Sequence, residues 1–277
     1  LLTEDLKDRI IPLFDDISDL DKIKRLQVFY PHILGDFKDV IKQIINKEFN
    51  QINRWSKALA LYWVGLEKEE SMLYELISNL FNPDPLIRDT SAWSLYQINP
   101  DYYEDNTPRI GKEKKYELDS MILKNTSSLG FRFQKPISID KAFFLNRLEF
   151  FNQFPDSFMT GMIDFIEEMY LYKDQKVTIN EHSNQYFYIV YQGCTNLLQK
   201  GVVRNNLVQG DVIGEFLIEE IAENDLTVHA LTDTILLKIF KEKLYEYLCN
   251  DHEMALNFLN QLSSIEDIMI RRPSQSA

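Results

Sequence analysis

Only two cysteines, Cys194 and Cys249, occur in the 277 residues, and no Cys-x-x-Cys spacing joins them. They read as reduced packing residues in a cytoplasmic compartment. No apolar run approaches the roughly 18 residues that a membrane-crossing helix requires. Positive charge is short, with 30 Lys and Arg against 43 Asp and Glu and a net charge of −13. Phosphate backbones are held by clustered Lys and Arg, so neither a DNA nor an RNA partner is expected. The basic clusters are Lys112, Lys114, Lys115 and the pair Arg271 and Arg272, which read as solvated surface and tail. No P-loop, dinucleotide fingerprint or nucleophile–base motif occurs, so the chain is not expected to be an enzyme. His182 and His229 have no second ligand at metal-binding spacing, and His229 reads as a solvated strand residue. The opening residues Leu1-Leu2-Thr3-Glu4 carry no basic start and no apolar core of a leader peptide. A start without Met is expected of a piece of a longer or processed protein.

Against these absences stands a hydrophobic fraction of 45% and an aromatic fraction of 13%, which suit globular, core-forming domains. The length allows two domains of about 100–150 residues each. Residues 1 to about 100 read as successive helices. Leu6, Ile10, Leu13 and Phe14 form one apolar stripe, and Asp19 or Asp21 can cap the next helix, which stops at Tyr30-Pro31. Asp36 opens a third, through Ile41 and Ile45. A fourth runs from about Asn53 to Leu66, where Ala58 and Ala60 permit close approach of a neighbour. Met72 to Ile98 is broken by Asn82-Pro83-Asp84-Pro85, with Asp84 as the cap and Pro85 near the first helical position. Asn99-Pro100-Asp101-Tyr102-Tyr103 is expected to end the array, and a short helix is expected near Lys114 to Lys124.

The break at Pro83-Asp84, followed by Ile87 and Arg88, resembles the turn of a HEAT repeat. The resemblance implies that Asp84 and Arg88 are structural contacts between neighbouring units. A lone helical hairpin in an ordinary bundle is the other reading.

From Met169 onward the periodicity changes from 3.6 to 2. Tyr186 to Gln192, Cys194 to Gln199, Leu226 to Leu231 and Ile235 to Ile239 read as strands with turn residues between them, alongside Met169 to Tyr172, Gln175 to Ile179 and Leu207-Val208. Val228 and Ala230 alternate, and Ile235 to Ile239 is nearly continuous. The pattern calls for a small antiparallel sandwich or barrel. Asp156 to Glu168 reads as a helix before it, and Lys241 to Leu248 and Asp251 to Leu262 as helices after it.

Leu148 to Pro155, Tyr186 to Gly193 and Gly210-Asp211-Val212-Ile213-Gly214-Glu215-Phe216, with the helical pair at the end, resemble a cyclic-nucleotide-binding domain. Catabolite activator proteins, kinase regulatory subunits and cyclic-nucleotide-gated channels carry such domains. The resemblance covers residues 138–264 or so. It implies a β-roll (a double-stranded β-helix, or jelly-roll) with flanking helices, behind an N-terminal α-helical HEAT-like array: a multidomain chain, α followed by α+β. The expected boundaries are 1–125 for the array, 126–137 for a linker, 138–265 for the roll and 266–277 for a tail. That tail is too short for the winged helix-turn-helix that the family's transcription factors carry.

In the family a Gly-Glu pair binds the ribose and an Arg neutralises the cyclic phosphate. Gly214, Glu215 and Phe216 fall on the first part of this cassette, and Asn224 falls where the Arg stands, with Asp225 beside it in the cassette. Asn offers one neutral amide in place of a charged bidentate fork, and Glu219, Glu220, Glu223 and Asp225 would repel an anion. No Arg or Lys occurs between Arg204 and Lys238. Two of the family's turn glycines are replaced by Asp174 and His182. Glu215 can equally be a helix cap or a surface carboxylate. The expectation is a retained fold and lost cyclic-nucleotide binding.

The pairing of array and roll resembles the soluble C-terminal part of some bacterial transporters of the nucleotide-translocase type. It implies a regulatory module that senses a ligand and signals to an attached membrane domain or an associated protein, with no cofactor. A homodimer through the last helix is among the family's uses. A protein-interaction scaffold with a degenerate pocket is the alternative.

Overall fold

A computed structural model describes residues 7, 9–12, 17–30, 36–48, 51–123, 133–148, 151, 154, 156–179, 185–213, 226–249, 255–256 and 258. The chain forms two compact units, Leu1–Asn46 and Lys47–Ala277. In the first, α1 (Asp19–Leu26) is capped by Ser18, not by either aspartate, because the Ser18 hydroxyl accepts from the Asp21 N–H at 3.3 Å. Helix α2 (Phe37–Asn46) buries Ile41 and Ile45, four apart on one face.

The second unit begins with a helical layer: α3 (Arg54–Leu66), α4 (Leu73–Asn79), α5 (Pro85–Ile98), α6 (Pro100–Asn106) and α7 (Lys112–Ile122). Helix α5 is its centre. Leu86 to Ala92, Ser94 and Leu95 are all buried, so this helix is enclosed on nearly every side. Its buried hydroxyls are satisfied on other backbones: Ser91 donates to the Leu76 carbonyl at 2.6 Å and Ser94 to that of Leu61 at 2.8 Å. Helix α3 approaches closely enough for the second bond because it presents Gly65 there. A Cβ at 65 would lie 2.7 Å from the Ser94 Cα.

The break before α5 forms as the sequence predicts. Asp84 accepts from the Leu86 N–H at 2.9 Å, and Pro85 occupies the first turn, where no N–H is needed. The expected end of the array at Asn99-Pro100 is instead another start. Asn99 caps α6 by accepting from the Asp101 N–H at 2.9 Å, with Pro100 again at the first position. The same Asx–Pro signal opens both helices.

After α8 (Ser138–Arg147) and α9 (Asp156–Met162), a single 3-10 turn at Ile163–Phe165 leads into the roll. The expected helix through Glu168 is therefore cut short, and Ile166 already belongs to a strand. The strands are β1 (Ile166–Leu171), β2 (Lys176–Ile179), β3 (Tyr186–Gln192), β4 (Thr195–Gln199), β5 (Val202–Leu207), β6 (Val212–Ile213), β7 (Leu226–Ala230) and β8 (Thr234–Phe240). Helix α10 (Lys241–Cys249) follows at once. The strands make two antiparallel four-stranded sheets, ordered β1-β8-β3-β6 and β2-β7-β4-β5. First pairs with eighth, second with seventh, third with sixth and fourth with fifth. That nesting is a long hairpin rolled up on itself, a jelly-roll.

Of β5 the expected strand Leu207-Val208 caught only the last residue, and Val212-Ile213 was not separated out as a strand. Val-Val-Arg-Asn-Asn-Leu holds its edge by backbone pairing to β4 with only Leu207 buried, and β6 is two residues long.

The inner faces meet in one core of Leu171, Ile179, Tyr188, Val190, Leu207, Ile213, Val228, Ala230 and Leu236. The outer face of the first sheet is covered too. Phe144 of α8 packs edge-on against Tyr191 of β3 at 4.9 Å. With both faces covered, Ile235, Leu236, Leu237 and Ile239 are all buried, which explains the unbroken apolar run. The second sheet keeps one solvated face, so β7 alternates, with Val228 and Ala230 buried and His229 turned outward. At the β3–β4 corner Gly193 has φ 94°, and a Cβ there would meet the Asp233 carbonyl oxygen at 2.7 Å. Asp174, standing where the resemblance calls for glycine, keeps the left-handed turn with φ 67°.

Candidate ligand-binding site

Gly214, Glu215, Phe216, Asn224 and Asp225, the cassette residues singled out in the sequence, lie outside the described residues, as does His182. Both flanks of that segment are described. Ile213 pairs with Tyr188, and Leu226 pairs with Ile179 on one side and Gln199 on the other. The strand directions put these residues at one and the same end of the roll.

The two ends differ. At the far end, Leu171, Thr195, Leu207, Ala230 and Thr234 are all buried. At the cassette end two edge-strand residues of the inner faces are exposed. The row Ile179–Leu226–Gln199–Val202 runs across the second sheet, and Val202 at its edge is 63% exposed. On the first sheet the inner row is Glu167–Lys238–Tyr188, and the Glu167 side chain is 69% exposed although it faces inward. Ile179, Tyr188 and Ile213 at this same end are buried, and Tyr186 and Leu226 sit partly buried against the core.

Lys238 is the basic residue on this inner row. Its ammonium lies 2.9 Å from Glu167 Oε2 and 3.9 Å from the centre of the Tyr186 ring, whose other neighbour is Phe240 at 5.2 Å. Burial works against its charge, but the bond to Glu167 and the field of that carboxylate outweigh it and hold the ammonium above its ordinary pKa. Sequence reasoning met Lys238 only as the place where a stretch without Arg or Lys ends. Alternation puts Lys238 on the face of Leu236 and Phe240, and only the pairing of β8 shows that face to be the inner one.

Asp84 and Arg88 belong to the helical layer and take separate partners. Asp84 bonds Arg54 Nη2 at 2.9 Å, and the same guanidinium bonds both carboxylate oxygens of Asp164 in the turn that opens the roll. Arg88 Nη2 lies 3.0 Å from Asp89 Oδ1, without the alignment of a hydrogen bond. Asp89 Oδ2 accepts from the Ser138 hydroxyl at 3.0 Å, and Lys141, one turn along α8, donates to Glu168 of β1 at 2.6 Å. Burial pushes the Asp89 carboxyl up to about 6, and Arg88 and Ser138 only partly offset it. These contacts tie α3 and α5 through α8 to the first sheet.

Among the described residues no three His, Cys, Asp or Glu side chains gather as a metal site; His229 Nε2 is 4.0 Å from Asp174 Oδ1. No described helix is long and apolar enough to cross a membrane. Cys194 and Cys249 are both free.

The described strands define a jelly-roll with a helix laid over one sheet. No family model and no curated protein matches the chain. Solved structures similar to it are regulatory and nucleotide-binding domains. The sensor domain of the transcriptional regulator DNR from Pseudomonas aeruginosa is 15% identical, with a TM-score of 0.40 over 50% of this chain and 98% of that one. A cyclic nucleotide-binding domain from Methylobacillus flagellatus is 14% identical, with a TM-score of 0.40 over 48% and 78%. The N-terminal domain of a transcriptional regulator from Streptomyces coelicolor is 17% identical, with a TM-score of 0.38 over 48% and 99%. At this similarity the neighbours' ligands do not transfer to this chain.

Proposed function

We propose that the chain is a non-enzymatic, cytoplasmic regulatory module of the cyclic-nucleotide-binding type, in which the roll senses a small ligand and the helical array addresses a partner. The observation that carries this reading is the nested jelly-roll itself, with Ile213 and Leu226 flanking the cassette segment at one end of it. The array is read as HEAT-like, with Asp84 and Arg88 as its repeat contacts, and it passes through the linker 126–137 into the roll. The Asp–Pro start of α5 supports this. Signal transfer would run along Glu168–Lys141 and Ser138–Asp89. The partner is a protein or an attached membrane domain, as in the nucleotide-translocase type of transporter, and not DNA or RNA. A homodimer through the last helix fits the same reading.

Calorimetric titration with cyclic AMP and cyclic GMP tests the ligand. Saturable binding lost in Glu215→Ala would establish a working cassette. No heat at millimolar ligand would retire cyclic nucleotides. A second reading, a protein-interaction scaffold with a degenerate pocket, is favoured by the replacement of the phosphate Arg by Asn224. It would stand if no small ligand altered hydrogen exchange in α5 and α8.

A further inference from the structure

We propose that the α5–α8 junction is a proton-operated latch: a neutral Asp89 holds the first turn of α8 on α5, and release of its proton loosens that contact between helical layer and roll. This goes beyond the sensor reading and needs no ligand. The latch is built from described side chains. Asp89 is 2% exposed, and its Oδ2 accepts from the Ser138 hydroxyl at 3.0 Å. Its Oδ1 is buried without a hydrogen bond, 3.0 Å from Arg88 Nη2, and the Arg88 Nε is buried and unbonded as well. The carboxyl is thus enclosed with a single hydrogen bond, where a carboxylate can accept several.

The charges around it are mixed. Arg88 on α5 and Lys141 on α8 favour the carboxylate, while Glu117 on α7 opposes it. Lys141 is itself engaged by Glu168 of β1 at 2.6 Å. The buried or half-buried titratable groups on the other helices packed on α5 (Lys57 and Tyr62 of α3, Glu75 of α4, Tyr103 of α6) are not among those that act most on its charge. Burial is the largest influence, and it disfavours the charged form. Enclosed, the carboxyl gives up its proton at about pH 6; in water the same group ionises at about 4. The closed junction therefore binds the proton more tightly than the open one, and rising pH favours opening.

Opening has a built-in reporter. Phe143 of α8 packs 5.5 Å from Trp55 and 5.3 Å from Tyr62, and Tyr62 stacks at 4.6 Å on Trp93, one turn beyond Asp89. Two of the three tryptophans thus sense where α8 lies.

The test follows tryptophan emission and hydrogen exchange of the whole chain from pH 5 to pH 8. The wild type is expected to show an emission change with its midpoint at about pH 6. Exchange in α8, corrected for the intrinsic rate, should be about tenfold faster at pH 8 than at pH 5 by linkage. Asp89→Asn carries no charge at either pH and should show neither change. It keeps all four histidines, which titrate in the same range, so a wild type and an Asp89→Asn that titrate alike would overturn the proposal. Two more variants cover an Asp89→Asn chain that fails to fold. Glu117→Gln removes the opposing charge and should move the midpoint down, and Lys141→Met should move it up. A midpoint that neither variant shifts would overturn the latch. So would an exchange change shared equally by α8, α4 and β3, which would be global stability. A working latch in a chain that binds no cyclic nucleotide would stand while the sensor reading fell. A flat pH response with saturable nucleotide binding would do the reverse.

Discussion

At Asp89, burial and charge are most directly opposed. Its carboxyl is almost fully enclosed between α5 and α8, faced by Arg88 on its own helix, Ser138 and Lys141 on α8, and Glu117 on α7. A carboxyl whose folded pKa lies above its unfolded value holds its proton more tightly when folded. Its contribution to stability is thus full below about pH 4 and is lost as pH rises through about 6. Comparing wild type with Asp89→Asn by urea denaturation at pH 4.5 and pH 7.5 should show the wild type losing ground with rising pH. Linkage puts the full swing on the order of 3 kcal/mol. A difference that does not vary with pH would mean that the buried carboxyl stays charged throughout. Gly65 is the second residue where a single atom decides. Alanine would gain about 1 kcal/mol in helix propensity but insert a methyl 2.7 Å from the Ser94 backbone, which cannot rotate away. Overpacking of that kind costs about 1–3 kcal/mol, so Gly65→Ala should lower the urea midpoint with an unchanged slope.

Among the elements, the starts of α5 and α6 were legible because Asp84-Pro85 and Asn99-Pro100 carry their mechanism in two residues. The second was read as an end because nothing in the local sequence says whether a capped turn is followed by enough packing to continue. Strand β5 was illegible for a related reason: its place is given by pairing with β4, and its side chains face water. Arg54 joins elements far apart in the chain. A double-mutant cycle between Arg54 and Asp164 should yield about 0.5–1 kcal/mol, discounted because the Asp164 side chain is half exposed. The cycle with Asp84, whose side chain is only 15% exposed, should yield more. A zero coupling in both would mean that the guanidinium is solvated and joins nothing. Phe158 of α9 is buried, stacked 4.6 Å from Phe154 and 5.3 Å from Tyr247 of α10. Phe158→Ala should cost about 3–5 kcal/mol in thermal or urea denaturation. A loss under 1 kcal/mol would show that this aromatic stack does not hold α9 against α10.

For the whole molecule, the ties from α3 and α5 through α8 to β1 make residues 47–249 a candidate for one cooperative unit. Hydrogen exchange should therefore find the slowest amides of α5 and of β3 and β8 opening with the same free energy. Two separate values would show that helical layer and roll melt independently. The sequence alone determined the kinds of element and their order, because helix caps, apolar periodicity and turn residues act over a few neighbours. It also determined the acidic charge and the want of an Arg in the cassette segment, which are matters of composition. Only the tertiary structure decided that β8 turns Lys238 inward beside Glu167 and Tyr186, and that Asp89 is sealed beneath α8. Those depend on which strands lie side by side and which faces another layer covers. Such contacts join residues up to 110 positions apart, as Arg54 and Asp164 are, and no local pattern encodes them.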